Sequence, residues 1–167
     1  MGENLRPVAA GFNRSLSIET RAERLTGDPG AVLLREVLDA TGIVPWMTAQ
    51  MKDDRRLPDV VHDLPSLLRT MVLLAAQGWR DQDDADALRH DPALRLATSS
   101  SAGLTPLSER GLASQPTLSR CTAMLAGADN LKVLRAATLE VAGRNLRAEN
   151  GDARRDRITL DVDSLPN

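Results

Sequence analysis

Three stretches of the sequence hold residue types that can do chemistry. Residues 78–92 place Asp81, Asp83, Asp84, Asp86 and Asp91 among Arg80, Arg89 and His90. That much negative charge suits a divalent cation, but the fixed ligand positions and the glycine of a calcium loop are missing. The same acids equally suit the N-terminal dipole of a helix starting near Gln82, with Leu88 and Leu94 in the core and Arg89 paired with Asp91 ahead of Pro92. Residues 107–120 read as a helix, a tight turn and a second helix opening at Pro116. Ser114, Gln115, Thr117, Ser119 and Arg120 at that opening are side chains that reach base edges or phosphates in a major groove. The other reading is a capped core helix with Leu118 and Leu125 buried. Asp161 and Asp163 fall on one face of an alternating segment, residues 157–163, where paired carboxylates can hold a divalent metal that activates water.

Other chemistries find no support. The sequence has no phosphate-binding glycine loop, no zinc-ligand cluster and no Ser-His-Asp arrangement. His62 and His90 have no cysteine at ligand spacing and read as structural.

The elements that must position these residues follow from composition. The chain has 167 residues, enough for one domain with a core plus a tail. Apolar residues reach 42% but aromatics only 2%, so the core is built from Leu, Val, Ala and Met, which favours helices packed on helices. A net charge of −2 excludes a globally basic nucleic-acid binder and leaves a local basic face open. The single Cys121 excludes an internal disulfide and reads as a small buried hydrophobe in a reducing cytoplasm. No apolar run approaches signal-peptide or membrane-span length, so a soluble cytoplasmic protein without membrane contact is expected.

Along the chain, residues 1–27 read as an arm with a short alternating stretch at 15–20. Residues 28–150 read as a helical domain. Asp28 is expected as N-cap with Pro29 at the first helical position, Val32, Leu33, Val37 and Leu38 as the apolar stripe, and Gly42 as C-cap. Pro45 opens a short helix with Trp46 and Met47, and residues 52–56 form a mixed-charge turn. Residues 65–77 are nearly all apolar and are expected to form the central buried helix, ended by Gly78. After a polar loop at 98–106 come helices over 116–125 and 130–147, the second with Leu131, Leu134, Ala137, Leu139, Val141 and Leu146 in an amphipathic pattern. Residues 131–157 hold seven Lys or Arg against four acids. Residues 151–167 read as a linker and the one convincing strand.

Taken together and in order, these stretches resemble the N-terminal part of bacterial DDE-type insertion-sequence transposases. Residues 25–36 are similar to their opening helix. Residues 78–92, with Leu88-Arg89-His90-Asp91-Pro92, are similar to an Asp-rich segment ending Leu-Arg-x-Asp-Pro. Residues 114–120 are similar to their Ser-Gln-Pro-Thr-Leu-Ser-Arg helix, and residues 158–164 to the first strand of their RNase H-like catalytic domain. The resemblance implies binding to terminal inverted repeats of DNA and Mg2+-dependent strand cleavage by an Asp-Asp-Glu triad, with Asp163, or alternatively Asp161, as first catalytic acid and metal ligand. Because the sequence ends at Asn167, before a second Asp and the Glu, the expectation is a mainly α fragment that binds DNA but does not catalyse alone. The alternatives are a helical module that self-associates or binds and inhibits a full-length transposase, and an independent metal enzyme using the Asp-rich run.

Overall fold

The computed structural model describes residues 26–100 and 110–150, together with two short strands. Strands β1 (Val8–Ala9) and β2 (Ser17–Ile18) pair antiparallel, Val8 opposite Ile18, and β2 lies within the alternating stretch at 15–20. Seven helices follow: α1 (Gly30–Thr41), α2 (Ile43–Thr48), α3 (Leu64–Ala76), α4 (Asp84–Ala87), α5 (Pro92–Thr98), α6 (Gln115–Leu125) and α7 (Ala128–Asn150). The chain is mainly α, as its composition demands. Residues 151–167, with Asp161, Asp163 and the expected strand, lie outside the described residues, as does most of the polar loop at 98–106.

Helix α3 is the centre. Asp63 caps it, its carboxylate accepting the Ser66 N–H at 2.9 Å, and Pro65 occupies the first turn. Leu67, Leu68, Leu73 and Leu74 are buried, and so is Thr70, whose hydroxyl donates to the Ser66 carbonyl. The helix ends at Gly78, which at φ 89° adopts a left-handed conformation that costs other residues a Cβ clash. The Gly78 N–H donates to the Ala75 carbonyl and the Trp79 N–H to the Leu74 carbonyl, the paired bonds of a Schellman stop.

That stop explains a correction to helix α1. Asp28 is not its N-cap; the helix begins at Gly30 with Pro29 in the cap position. The turn at Gly78 brings Trp79 back across the fold, and the Asp28 carboxylate accepts its indole Nε1–H at 3.0 Å. The buried side of α1 is also displaced from the expected stripe. Ala31 and Leu38 are buried and Leu34 packs against the core, whereas Leu33 is 72% and Val37 64% exposed. Ala31, with no bulk beyond Cβ, lets α1 approach α5, and the aliphatic residues at 32, 33 and 37 are left facing outward. Gly42 ends α1 as expected, at φ 61°. Arg144 of α7 donates to the Thr41 carbonyl beside it, so a distant cation satisfies an orphan at the helix C-terminus.

Two further expectations shift. Arg89 pairs with Asp86 at 3.9 Å and not with Asp91. Asp91 instead caps α5 through the Leu94 N–H and accepts the Thr26 hydroxyl at 2.7 Å, a use of its carboxylate that competes with an Arg89 pair. On α7 the helix is longer than expected at both ends, and Leu139 is 76% exposed, while Ala137 is buried and Leu134 and Val141 pack on the core.

Helix α7 is fastened at its start by Asn130. The Asn130 carbonyl oxygen accepts the Lys52 N–H at 2.8 Å, and its amide donates to the Lys52 and Met124 carbonyls at 2.9 and 3.1 Å. Only 5% of the residue is exposed. Asn130→Ala removes the partner of the Lys52 N–H and of the Lys52 carbonyl, while the Met124 carbonyl keeps the Gly127 N–H at 3.2 Å. Chemical denaturation should show a loss of about 2–3 kcal/mol with an unchanged m-value; a loss below about 0.5 kcal/mol would show that water replaces the side chain.

Candidate nucleic-acid interface

Of the expected helix-turn-helix, the described residues include the second helix and the stretch just before it. Residues 107–109 lie outside the described residues, and Arg110 to Ser114 are not helical, Ser114 being extended. Leu112 and Ala113 are buried side by side, and the Leu112 N–H donates to the Arg89 carbonyl at 2.9 Å. The backbone bond to another segment, in place of an intrahelical one, is what an inserted strap requires. Gly111 permits the approach, because a Cβ there would meet the Arg89 carbonyl oxygen at 2.9 Å.

Helix α6 then starts at Gln115, with Ser114 extended ahead of it and Pro116 in the first turn. Leu118, Cys121 and Leu125 form its buried face, and burial pushes the Cys121 thiol pKa up. The five candidate residues divide between its two flanks. On one flank the Gln115 amide donates to Ser119 Oγ at 3.0 Å, and Ser119 Oγ donates to Gln82 Oε1 at 2.6 Å. Gln82 Nε2 then donates to Thr122 Oγ1 at 2.9 Å, so one side chain grips two turns of the helix. On the other flank Ser114 Oγ and Thr117 Oγ1 lie 3.1 Å apart, and Arg120 Nη2 donates to Thr117 Oγ1 at 3.3 Å. Arg120 is the exposed member of the five and pairs with no carboxylate among the described residues. The arrangement therefore holds one cation on a helix whose opposite flank is fixed.

The Asp-rich run supports this helix and is not a metal centre. Asp86 accepts the Gln115 N–H at 3.3 Å, and so places its charge at the first N–H of α6. Asp84 accepts the Asp81 N–H, and Asp81 the Asp83 N–H, which closes the turn before α4. Among the described residues no group of three or more His, Cys, Asp or Glu could hold a metal ion. The expected capping role is met in part: Asp83 makes no side-chain cap bond to α4, although Asp84 and Asp86 stand in its first turn, whereas Asp91 caps α5 and Asp86 braces α6. Gln82 and Thr122 are positioning residues that sequence reasoning missed, because the pairing spans 40 positions and no local pattern announces it.

Beside the strap, His62, Asp63, Arg95, Ser99 and Arg110 line a cavity of about 280 Å³. Burial, and then the charges of Arg110 and Arg89, hold the His62 pKa below its ordinary value. His90 is exposed. A second cavity, of about 370 Å³, lies where α6 faces the turn before the 3-10 segment Leu57–Asp59, with Thr117 and Arg120 in its wall.

A family model described as Transposase DDE domain group 1 matches residues 8–166. No curated protein and no solved structure matches the chain. No helix among the described residues is long and apolar enough to cross a membrane.

Two outcomes follow from this geometry. Gln82→Ala should speed amide exchange over residues 115–122 and lower stability by about 1 kcal/mol; unchanged exchange there would mean the side chain does not brace α6. For His62, the folded protein resists protonation that the unfolded chain accepts near pH 6.5. Stability should accordingly hold above that pH and fall as pH drops through it. His62→Gln should remove this component of the slope in denaturation midpoints measured between about pH 7.5 and 5.5.

Proposed function

The chain belongs to the DDE transposase family, and on that premise we propose that its helical region binds the terminal inverted repeats of its element, with α6 as the contact helix in DNA transposition. The observation that carries this reading is Arg120, a guanidinium exposed on a helix without acidic residues in its first turn and tied only to Thr117. Arginine in this setting suits a phosphate or the O6/N7 edge of guanine. Thr117 and Ser114 stand beside it, while Gln115 and Ser119 are engaged with each other and with Gln82. These two are read as holding the helix and, once DNA displaces their internal bonds, as reaching it. Asp86 already occupies the first N–H of α6, so the phosphate attraction is assigned to the Arg120 side chain and not to the helix terminus.

DDE transposases generally work with a divalent metal. In this reading Mg2+ would be held through Asp163 or Asp161, both outside the described residues, and the described residues offer no ligand set for it. No metal-dependent step is therefore assigned to the helical region.

A second reading, association with another copy or with a full-length transposase, is favoured by the outward Leu33 and Val37 on α1. It is read as additional to DNA contact.

Electrophoretic or fluorescence titration of the chain with duplexes carrying the element's ends tests the proposal. Binding should weaken steeply with salt, and Arg120→Ala should reduce affinity by about tenfold and lower the salt slope by about one. Equal affinity of the variant and the unaltered chain would remove α6 from the interface.

A further inference from the structure

The 370 Å³ cavity beside α6 has a composition that the duplex reading does not use. Leu67, only 1% exposed, and Cys121 supply apolar lining, and Met124 adds a polarizable thioether. Arg55 in the wall is held by three hydrogen bonds. Its Nε and Nη2 donate to the two Asp53 carboxylate oxygens at 2.7 and 2.6 Å, and its Nη1 donates to the His62 carbonyl at 2.9 Å. The charge of Arg55 is thereby neutralised, and what remains available is a rigid planar group of the kind on which bases stack. Two charged lining residues are left over. Among the described residues neither Arg120 nor Asp54 forms an ion pair.

A largely apolar, half-open cleft with one fixed guanidinium and, among the described residues, one cation and one carboxylate outside any ion pair matches a nucleotide. The cation suits a phosphate and the apolar cleft a flat heterocycle. The carboxylate selects the base. Ionised Asp54 only accepts hydrogen bonds, and guanine is the DNA base whose pairing edge sets two donors, N1–H and N2–H, side by side. Adenine and cytosine place an acceptor nitrogen next to their amino group, where it would face the carboxylate lone pairs. In duplex DNA the guanine edge is occupied by cytosine. We propose that this cavity binds one unpaired guanine nucleotide, with Asp54 on the base edge, Arg120 on the phosphate, and Arg55 with Met124 against the ring. The assignment rests on the DNA-binding reading only for the source of that nucleotide, which is either free in solution or part of a single strand.

Isothermal titration of the full chain with GMP and with AMP tests it. An all-thymine oligonucleotide and the same strand with one guanine distinguish the sources. GMP should bind at least about tenfold more tightly than AMP, the discrimination of one good bidentate contact. Asp54→Asn should abolish that preference, and Arg120→Gln should weaken GMP and AMP alike, with thermal unfolding unchanged in both variants. GMP binding as tightly as the guanine strand assigns the cavity to the free nucleotide; a strand that binds well above GMP assigns it to DNA. Equal affinity for GMP and AMP, no binding of either GMP or the guanine strand, or a preference that survives Asp54→Asn overturns the proposal. Duplex binding that persists in that event leaves the α6 reading standing. Asp54-dependent GMP binding without any duplex binding would remove the α6 reading and keep the cavity.

Discussion

Helix α3 has to be covered on most of its circumference, and the positions of the other helices follow from that demand. Leu67, Leu68, Leu73 and Leu74 are each at most 4% exposed, and each contributes about 1.5–3 kcal/mol by leaving water. With one Phe, two Trp and no Tyr in the sequence, no single large side chain can close this surface. Coverage comes from four directions, by α1, α2, α5 and α6. Small residues make it feasible: Ala31, Ala85 and Ala97 are each at most 2% exposed and let backbones come close. The cost is a core with little redundancy, in which the loss of one leucine opens a void that its aliphatic neighbours fill poorly.

Polar side chains from distant parts of the chain then fix the periphery. Arg35 of α1 donates to the Ala97 and Ser99 carbonyls at the end of α5, Arg144 of α7 to the Thr41 carbonyl at the end of α1, and Asn130 of α7 to the Lys52 carbonyl. In each case a donor meets carbonyls that a helix end or a turn leaves without a partner. Helix α6 is treated differently. It is buried along Leu118, Cys121 and Leu125, gripped by Gln82 on one flank, and left on the other with Arg120 exposed beside a cavity. Rigidity on one side and an exposed cation on the other is what supports the proposal that this helix contacts DNA.

Much of this was legible in the sequence, and the reasons for the rest are specific. The helical class, the central helix at 65–77, the stops at Gly42 and Gly78 and the start at Pro92 rest on local chemistry: apolar periodicity, glycine at positive φ, proline in the first turn. Asp28, Asp91 and Gln82 were misread or passed over because their partners are Trp79, Thr26 and Thr122, between 40 and 65 positions away. The stripe on α1 failed for another reason. Val32, Leu33, Val37 and Leu38 are equally apolar, so periodicity alone could not say which side α5 would cover. The start of the expected helix-turn-helix lies outside the described residues, and Leu112 and Ala113, ahead of its second helix, are buried in a non-helical strap.

The charge balance around α6 constrains how any polyanion could be held. The chain carries a net charge of −2, so its long-range field does not gather DNA, and attraction must be local. At the start of α6 the Asp86 carboxylate, accepting the Gln115 N–H, offsets the positive end of the helix dipole. Near its middle, Arg55 is neutralised by Asp53. Among the described residues, a phosphate approaching this face thus meets one uncompensated cation, Arg120, and not a basic stripe. Such a surface binds weakly by charge alone, but the helix backbone that carries Arg120 is held in place, because Gln82 grips Ser119 and Thr122 on its opposite flank. Weak non-specific attraction combined with a fixed contact favours discrimination over raw affinity, since an ill-fitting site gains little from the phosphates that surround it.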